Sequence, residues 1–94
     1  MNFNVYLIIT KRLSRYITYV GYAKDLKKRL ILHNKSKGAK FTRGNKWKLI
    51  YKKSYSSKAL AMSEEYKLKK NFKFRNRLKK EYLDKYENRY IATL

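Results

Sequence analysis

The chain has 94 residues, no cysteine and a single histidine, and its 26 lysines and arginines face only 6 aspartates and glutamates, a formal charge of +20. That length holds one domain able to bury only about 60–65% of its unfolded surface, and the composition excludes a disulfide framework, a thiolate zinc centre, a cysteine nucleophile and a multi-histidine metal site. An AT-rich genome would enrich Lys, Asn, Tyr and Ile, but it would enrich Glu too, and Glu is scarce; the charge therefore points to a polyanionic partner.

Residues 3–10 and 16–22 are apolar and aromatic runs on either side of Lys11-Arg12-Leu13-Ser14-Arg15, the pattern of a β-hairpin with a basic loop. Val5-Tyr6-Leu7-Ile8-Ile9 is too short for a secretory core, and no lipid anchor accompanies it, so a cytoplasmic, nucleoid-associated chain is expected. The second strand is expected to turn through Gly21 into a helix from about Asp25 to Lys35, because β-branched residues give way to a helix-start acid and then to Leu26 and Leu30. Gly38 then offers a left-handed cap.

That helix carries chemistry. At about 100° per residue from Leu26, Leu30 falls at about +40°, Arg29 at about −60° and His33 at about −20°, so Arg29 and His33 share or flank the apolar stripe. An inward Arg and His beside a strand bearing Tyr19 suit a phosphate; a snorkelling Arg and a satisfied core His fit as well.

Gly38-Ala39-Lys40-Phe41-Thr42-Arg43-Gly44-Asn45 has turn residues at both ends and reads as an exposed loop. From Trp47 to Tyr55 the alternation of Trp47, Leu49 and Tyr51 with Lys48, Ile50 and Lys52 predicts a third strand with one packed face. Ser56-Ser57 offers an N-cap for a helix from about Lys58 to Lys70, and Phe74, Leu78, Tyr82 and Tyr86 place a further amphipathic helix within residues 72–90. The expected fold is α+β, a three-stranded antiparallel sheet flanked by helices in the order β-β-α-β-α-α.

Of the acids, Asp25, Glu81, Asp84 and Glu87 have ordinary places in caps and surface pairs. Glu65 does not. Counted from Ala61, Leu68 lies at about −20°, Glu65 at about +40°, and Phe72, if the helix extends that far, at about +20°, while Glu64 sits at the stripe's edge at about −60°. Burying an unpaired carboxylate costs several kcal/mol, so an inward Glu65 needs a metal ion or a cation, and Arg29 is one candidate for a purely structural pair.

Tyr6 in Asn4-Val5-Tyr6, Tyr19-Val20-Gly21, Asp25-Leu26-x-x-Arg29-x-x-x-His33-Asn34, the Gly38 to Gly44 segment, and Ala61-x-x-x-Glu65-x-x-Leu68-Lys69-Lys70 come in the order of the GIY-YIG nuclease superfamily. The chain most resembles its small single-domain bacterial members, over roughly residues 3–70. Asn4 replaces the glycine of the first tripeptide, Val20 the isoleucine of the second, and the segment between Tyr6 and Tyr19 is a few residues longer than usual. The resemblance implies one domain over residues 1–94, divalent-metal-dependent hydrolysis of DNA phosphodiesters, selectivity for DNA structure, and work in repair or recombination.

By position it implies that Tyr6 and Tyr19 are the family tyrosines, Arg29 the catalytic arginine, His33 an accessory histidine and Glu65 the ligand of one Mg²⁺ or Mn²⁺. Either Asn71 or Asn76 fills a later polar position. On this expectation Tyr6, its pKa lowered by nearby cations, accepts a proton from water, although the sequence does not decide between the two tyrosines. Lys24, Lys40, Arg43, Lys69 and Lys70 are expected on the DNA backbone. Two rivals remain: a basic module that binds RNA or DNA without cutting, and a degenerate member of the family that only binds.

Overall fold

The computed structural model describes residues 2–86. The strands β1 (Phe3–Arg12), β2 (Arg15–Ala23) and β3 (Lys48–Tyr55) form one antiparallel sheet in the spatial order β2-β1-β3, interleaved with the helices α1 (Leu26–Asn34), α2 (Lys58–Lys70) and α3 (Phe72–Tyr86). The element order is the expected β-β-α-β-α-α. Part of the third helix expected within residues 72–90 lies outside the described residues, as does Glu87.

β1 is central and covered on both faces, which is why Val5 to Thr10 are buried without a break rather than alternating in and out. Val5 and Leu7 point to one face and pack with Val20, Ala61 and Leu68, under α2 and α3. Tyr6 and Ile8 point to the other, where they meet Ala23 and Trp47, with Leu26 and Leu30 of α1 at the margin. The hairpin is tighter than its basic loop suggested. Pairing runs out to Arg12 opposite Arg15, leaving Leu13 and Ser14 as the turn, with Leu13 at φ 58°.

β3 departs from strict alternation. Leu7 faces Tyr51 but Ile8 faces Leu49, so Ile50 is an extra residue in the β1–β3 ladder. Leu49 therefore joins the Tyr6 face and Tyr51 the Val5 face, and the expected single packed face for Trp47, Leu49 and Tyr51 is replaced by a strand that feeds both cores.

Local signals fix the helix ends. Asp25 caps α1 by accepting from the Lys28 N–H at 3.0 Å, and Ser57 caps α2 by accepting from the Leu60 N–H at 3.1 Å. Asn71 both ends α2 and starts α3, its Oδ1 accepting from the Phe74 N–H at 3.1 Å. Phe72 consequently belongs to α3 and is exposed, not part of the α2 stripe. After α1 the left-handed residue is Ser36, at φ 61°, and not Gly38. Gly21 is likewise no turn: it lies inside β2, opposite Tyr6.

Candidate active site

β2 is an outer strand, and beside it the sheet, α1 and α2 leave a cleft of about 580 Å³. β1 contributes Tyr6, β2 contributes Tyr19 and Gly21, Lys24 follows β2, α1 contributes Arg29, and α2 contributes Lys58 and Glu65. The fold thus brings together five of the residues singled out by sequence: Tyr6, Tyr19, Lys24, Arg29 and Glu65. His33 stands behind Tyr6, outside the cleft wall and fully buried. Lys40, Arg43 and Lys70 are exposed and do not line the cleft, and neither do Asn71 and Asn76.

Tyr6 lies across its cross-strand partner. A methyl group on Gly21 would run into the Tyr6 hydroxyl and the ring carbon bearing it, so glycine there is what leaves the phenol its place. The hydroxyl is 2.8 Å from His33 Nε2, and His33 Nδ1 is 2.9 Å from Thr42 Oγ1. Thr42 Oγ1 donates its one proton to the Ala39 carbonyl at 2.9 Å and accepts from the Ala39 N–H at 3.2 Å. Its remaining lone pair must therefore accept from His33, which places the imidazole proton on Nδ1. Nε2 is left bare, and the Tyr6 hydroxyl donates to it.

Gly38 completes this support, because a Cβ there would collide with the imidazole ring. The segment that read as an exposed loop is thus an anchored one. Thr42 is fully buried, and its carbonyl accepts from the Trp47 indole N–H at 2.8 Å. A polar residue between two glycines gives no sign of burial in sequence, so Thr42 was missed; the quoted Gly38 to Gly44 motif was its only signal.

The electrostatics run against the expected acidity of Tyr6. Burial raises its pKa, the neighbouring Tyr19 and Glu65 add to the rise, and the Arg29 charge offsets only part of it. The cations did not win because Tyr6 is almost wholly out of water, whereas Arg29 is exposed. For His33, burial first and Arg29 second hold the pKa below the ordinary imidazole value, so the ring is neutral at pH 7. Tyr19, in contrast, is half-buried, and its hydroxyl makes no hydrogen bond with another described residue, leaving it free for water or a phosphate oxygen.

Glu65 keeps only 18% of its side chain exposed, and it pairs with Lys69, Oε1 to Nζ 3.5 Å, one helical turn away. The structural pair with Arg29 is not formed. One largely buried carboxylate on a cleft wall, held by a single long contact, fits a hard cation that takes one or two carboxylates and keeps its waters. No cluster of three or more His, Cys, Asp or Glu exists among the described residues, so the donor set suits one such ion rather than a protein cage. No described helix is long and apolar enough to cross a membrane.

Compared with known proteins, the chain matches the GIY-YIG catalytic domain over residues 2–94. It is 42% identical over 76 residues to a UPF0213 protein of Streptococcus pneumoniae, spanning 80% of this chain and 74% of the relative. A UPF0213 protein of Staphylococcus epidermidis is 44% identical over 52 residues, which span 54% of this chain and 63% of that one. Among solved structures, the solution NMR structure of a UPF0213 protein from Bacillus halodurans is 35% identical, covers 93% of this chain and 86% of its own, and superposes with a TM-score of 0.42.

Proposed function

We propose that this chain, which belongs to the GIY-YIG catalytic domain family, is a divalent-metal-dependent endonuclease that hydrolyses DNA phosphodiester bonds in the cytoplasm, in the service of repair or recombination. The observation that carries this reading is the meeting of Tyr6, Tyr19, Arg29 and Glu65, from four separate elements, in one cleft beside an outer strand.

The phosphate enters between Arg29 and Tyr19. Arg29 is exposed and cationic, so it meets the phosphoryl oxygens at little desolvation cost and stabilises the charge that builds on them. Tyr19 orients the attacking water through its free hydroxyl. As the water oxygen bonds to phosphorus and the ester oxygen leaves, a water proton passes to the Tyr6 oxygen while the Tyr6 proton passes to His33 Nε2. The raised pKa of Tyr6 makes this paired transfer preferable to a standing phenolate. Thr42, by holding the His33 proton on Nδ1, keeps Nε2 ready to receive it. When Mg²⁺ or Mn²⁺ is bound, Glu65 and water molecules hold it, and it supplies Lewis-acid neutralisation of a phosphate oxygen. Lys24, Lys58 and Lys69 flank this path, and the exposed Lys40, Arg43 and Lys70 extend the positive surface around it.

The test is to incubate the purified chain with nicked, branched, single-stranded and plain duplex DNA, with and without Mg²⁺ or Mn²⁺. Metal-dependent cleavage of at least one substrate is expected. Tight, salt-sensitive binding of all four with no cleavage under any condition would replace the enzyme with a basic binding module, the reading its +20 charge alone would favour.

A further inference from the structure

Tyr19 walls a second concavity besides the cleft. This notch of about 310 Å³ lies along β2 and is lined by Thr18, Tyr19, Val20, Phe41, Lys69 and Arg75. Its floor and sides are mostly apolar and its rim is cationic. Phe41 is 51% exposed, and with Tyr19 and Val20 it makes a continuous apolar surface rather than a lone exposed ring. The exposure is not that of a loose loop. The Phe41 ring lies nearly parallel to Tyr19, with centroids 5.9 Å apart and planes 19° apart, and Arg12 donates to the Phe41 carbonyl at 3.2 Å with its guanidinium 5.4 Å from the ring centroid. The next residue, Thr42, is pinned under His33.

Arg75 on the opposite rim is equally fixed, donating to the Leu68 carbonyl at 3.1 Å and to the Lys69 carbonyl at 2.9 Å. Its charge is therefore held in place beside the apolar surface, and Lys69 links the same rim to Glu65.

From this arrangement we infer that the notch is a nucleobase subsite: an unpaired base of the strand in the cleft lodges against the Phe41–Tyr19 aromatic pair while Lys69 and Arg75 hold the adjoining phosphate. An apolar aromatic wall with a rim of cations matches a nucleotide, planar on one side and anionic on the other. Neither a neutral apolar peptide nor a bare phosphate would use both. A base stacked inside a duplex presents no face to the notch, so the preferred substrate carries an unpaired nucleotide next to the scissile phosphate, as single strands, frayed ends and junctions do. The inference rests on the nuclease reading for the strand's path but is tested without cleavage.

The experiment measures binding in EDTA, read by the emission of Trp47, the one tryptophan, whose ring is 6.3 Å from Phe41 and 6.4 Å from Tyr19. The probes are single-stranded octathymidylate and the same octamer made wholly abasic, equal in charge. The intact chain is expected to bind the base-bearing strand on the order of 10-fold tighter. Phe41→Leu, which keeps an apolar contact with Tyr19 and loses the ring, should bring the two affinities together by weakening only the base-bearing one; Phe41→Tyr, which keeps a ring there and leaves Trp47 the one tryptophan, should keep them apart. Equal affinity of the intact chain for both probes overturns the inference and leaves the notch to another occupant, such as a second copy of the chain. So does a Phe41→Leu protein that folds and still discriminates. Base-dependent binding without metal-dependent cleavage would retain the subsite and sink the nuclease reading, and cleavage without base dependence would do the reverse.

Discussion

The two faces of the sheet are built from alternate residues of the same strand, yet they are different materials. On the α2 and α3 side Val5 and Leu7 meet Val20, Ala61 and Leu68, an aliphatic core held by removal of apolar surface from water. On the α1 side Tyr6 and Ile8 meet Trp47, Ala23 and the fully buried His33 and Thr42, a core threaded by hydrogen bonds. Every buried side-chain polar atom among the described residues has a partner, so the polar core carries no standing penalty. It does carry a liability: loss of any one link strands the next. The aliphatic face is scaffold, and the polar face fixes the Tyr6 hydroxyl at the cleft.

Glu65→Gln probes the difference most strongly, since Glu65 rises from the scaffold side but opens on the cleft. Metal-dependent cleavage should vanish while binding to DNA in EDTA persists, and the melt should move little because an i,i+4 pair with a half-exposed Lys69 contributes under about 1 kcal/mol. A variant that still cuts would remove Glu65 from the site. Tyr6→Phe should cost on the order of 10² to 10⁴ in cleavage rate. Because it also leaves His33 Nε2 buried without a donor, it should lower stability by about 1–3 kcal/mol, a double loss that a residue serving only as packing would not show. If Tyr19→Phe loses the rate and Tyr6→Phe does not, the roles of the two tyrosines are exchanged.

Leu68→Ala should behave in the opposite way. A cavity on the aliphatic face costs about 2–5 kcal/mol, while turnover per folded molecule at low temperature stays near that of the parent, as a titration of folded fraction against rate would show. The smallest effect belongs to protons. His33 has a depressed pKa in the folded chain, so the unfolded chain binds more protons in the interval between that value and 6.5, and stability contributed by the neutral ring is present above 6.5 and falls as pH drops through that interval. Urea midpoints measured downward from pH 7.5 should decline for the parent and decline less for His33→Gln.

Sequence made the local parts of this molecule legible. Asp25 and Ser57 are caps whose partners lie three residues on, and the paired apolar runs of the hairpin announce themselves. The resemblance named Tyr6, Tyr19, Arg29, His33 and Glu65 together, and all but His33, which stands behind Tyr6, share a cleft with Lys24. What escaped was whatever depends on depth or on register. Charges near Tyr6 can be counted along a chain, but the desolvation that outweighs them cannot. Thr42 read as solvated because nothing in its neighbours says that Trp47 and His33 close over it. Gly21 read as a turn and Gly38 as a helix cap, whereas each is small because an aromatic ring occupies the space a side chain would need.

The added residue of β3 bears on how such a chain tolerates insertions and deletions. Ile50 has no opposite number in β1, so its excision would leave Leu49 against Ile8 and Tyr51 against Leu7, every later side chain still on its own face. Loss of a residue anywhere else in the strand's paired part would invert all that follow, exchanging lysines for core. Position 50 is therefore the place in β3 where a shorter relative can carry its gap, at the expense only of the local bend and of one isoleucine packed against the aliphatic core.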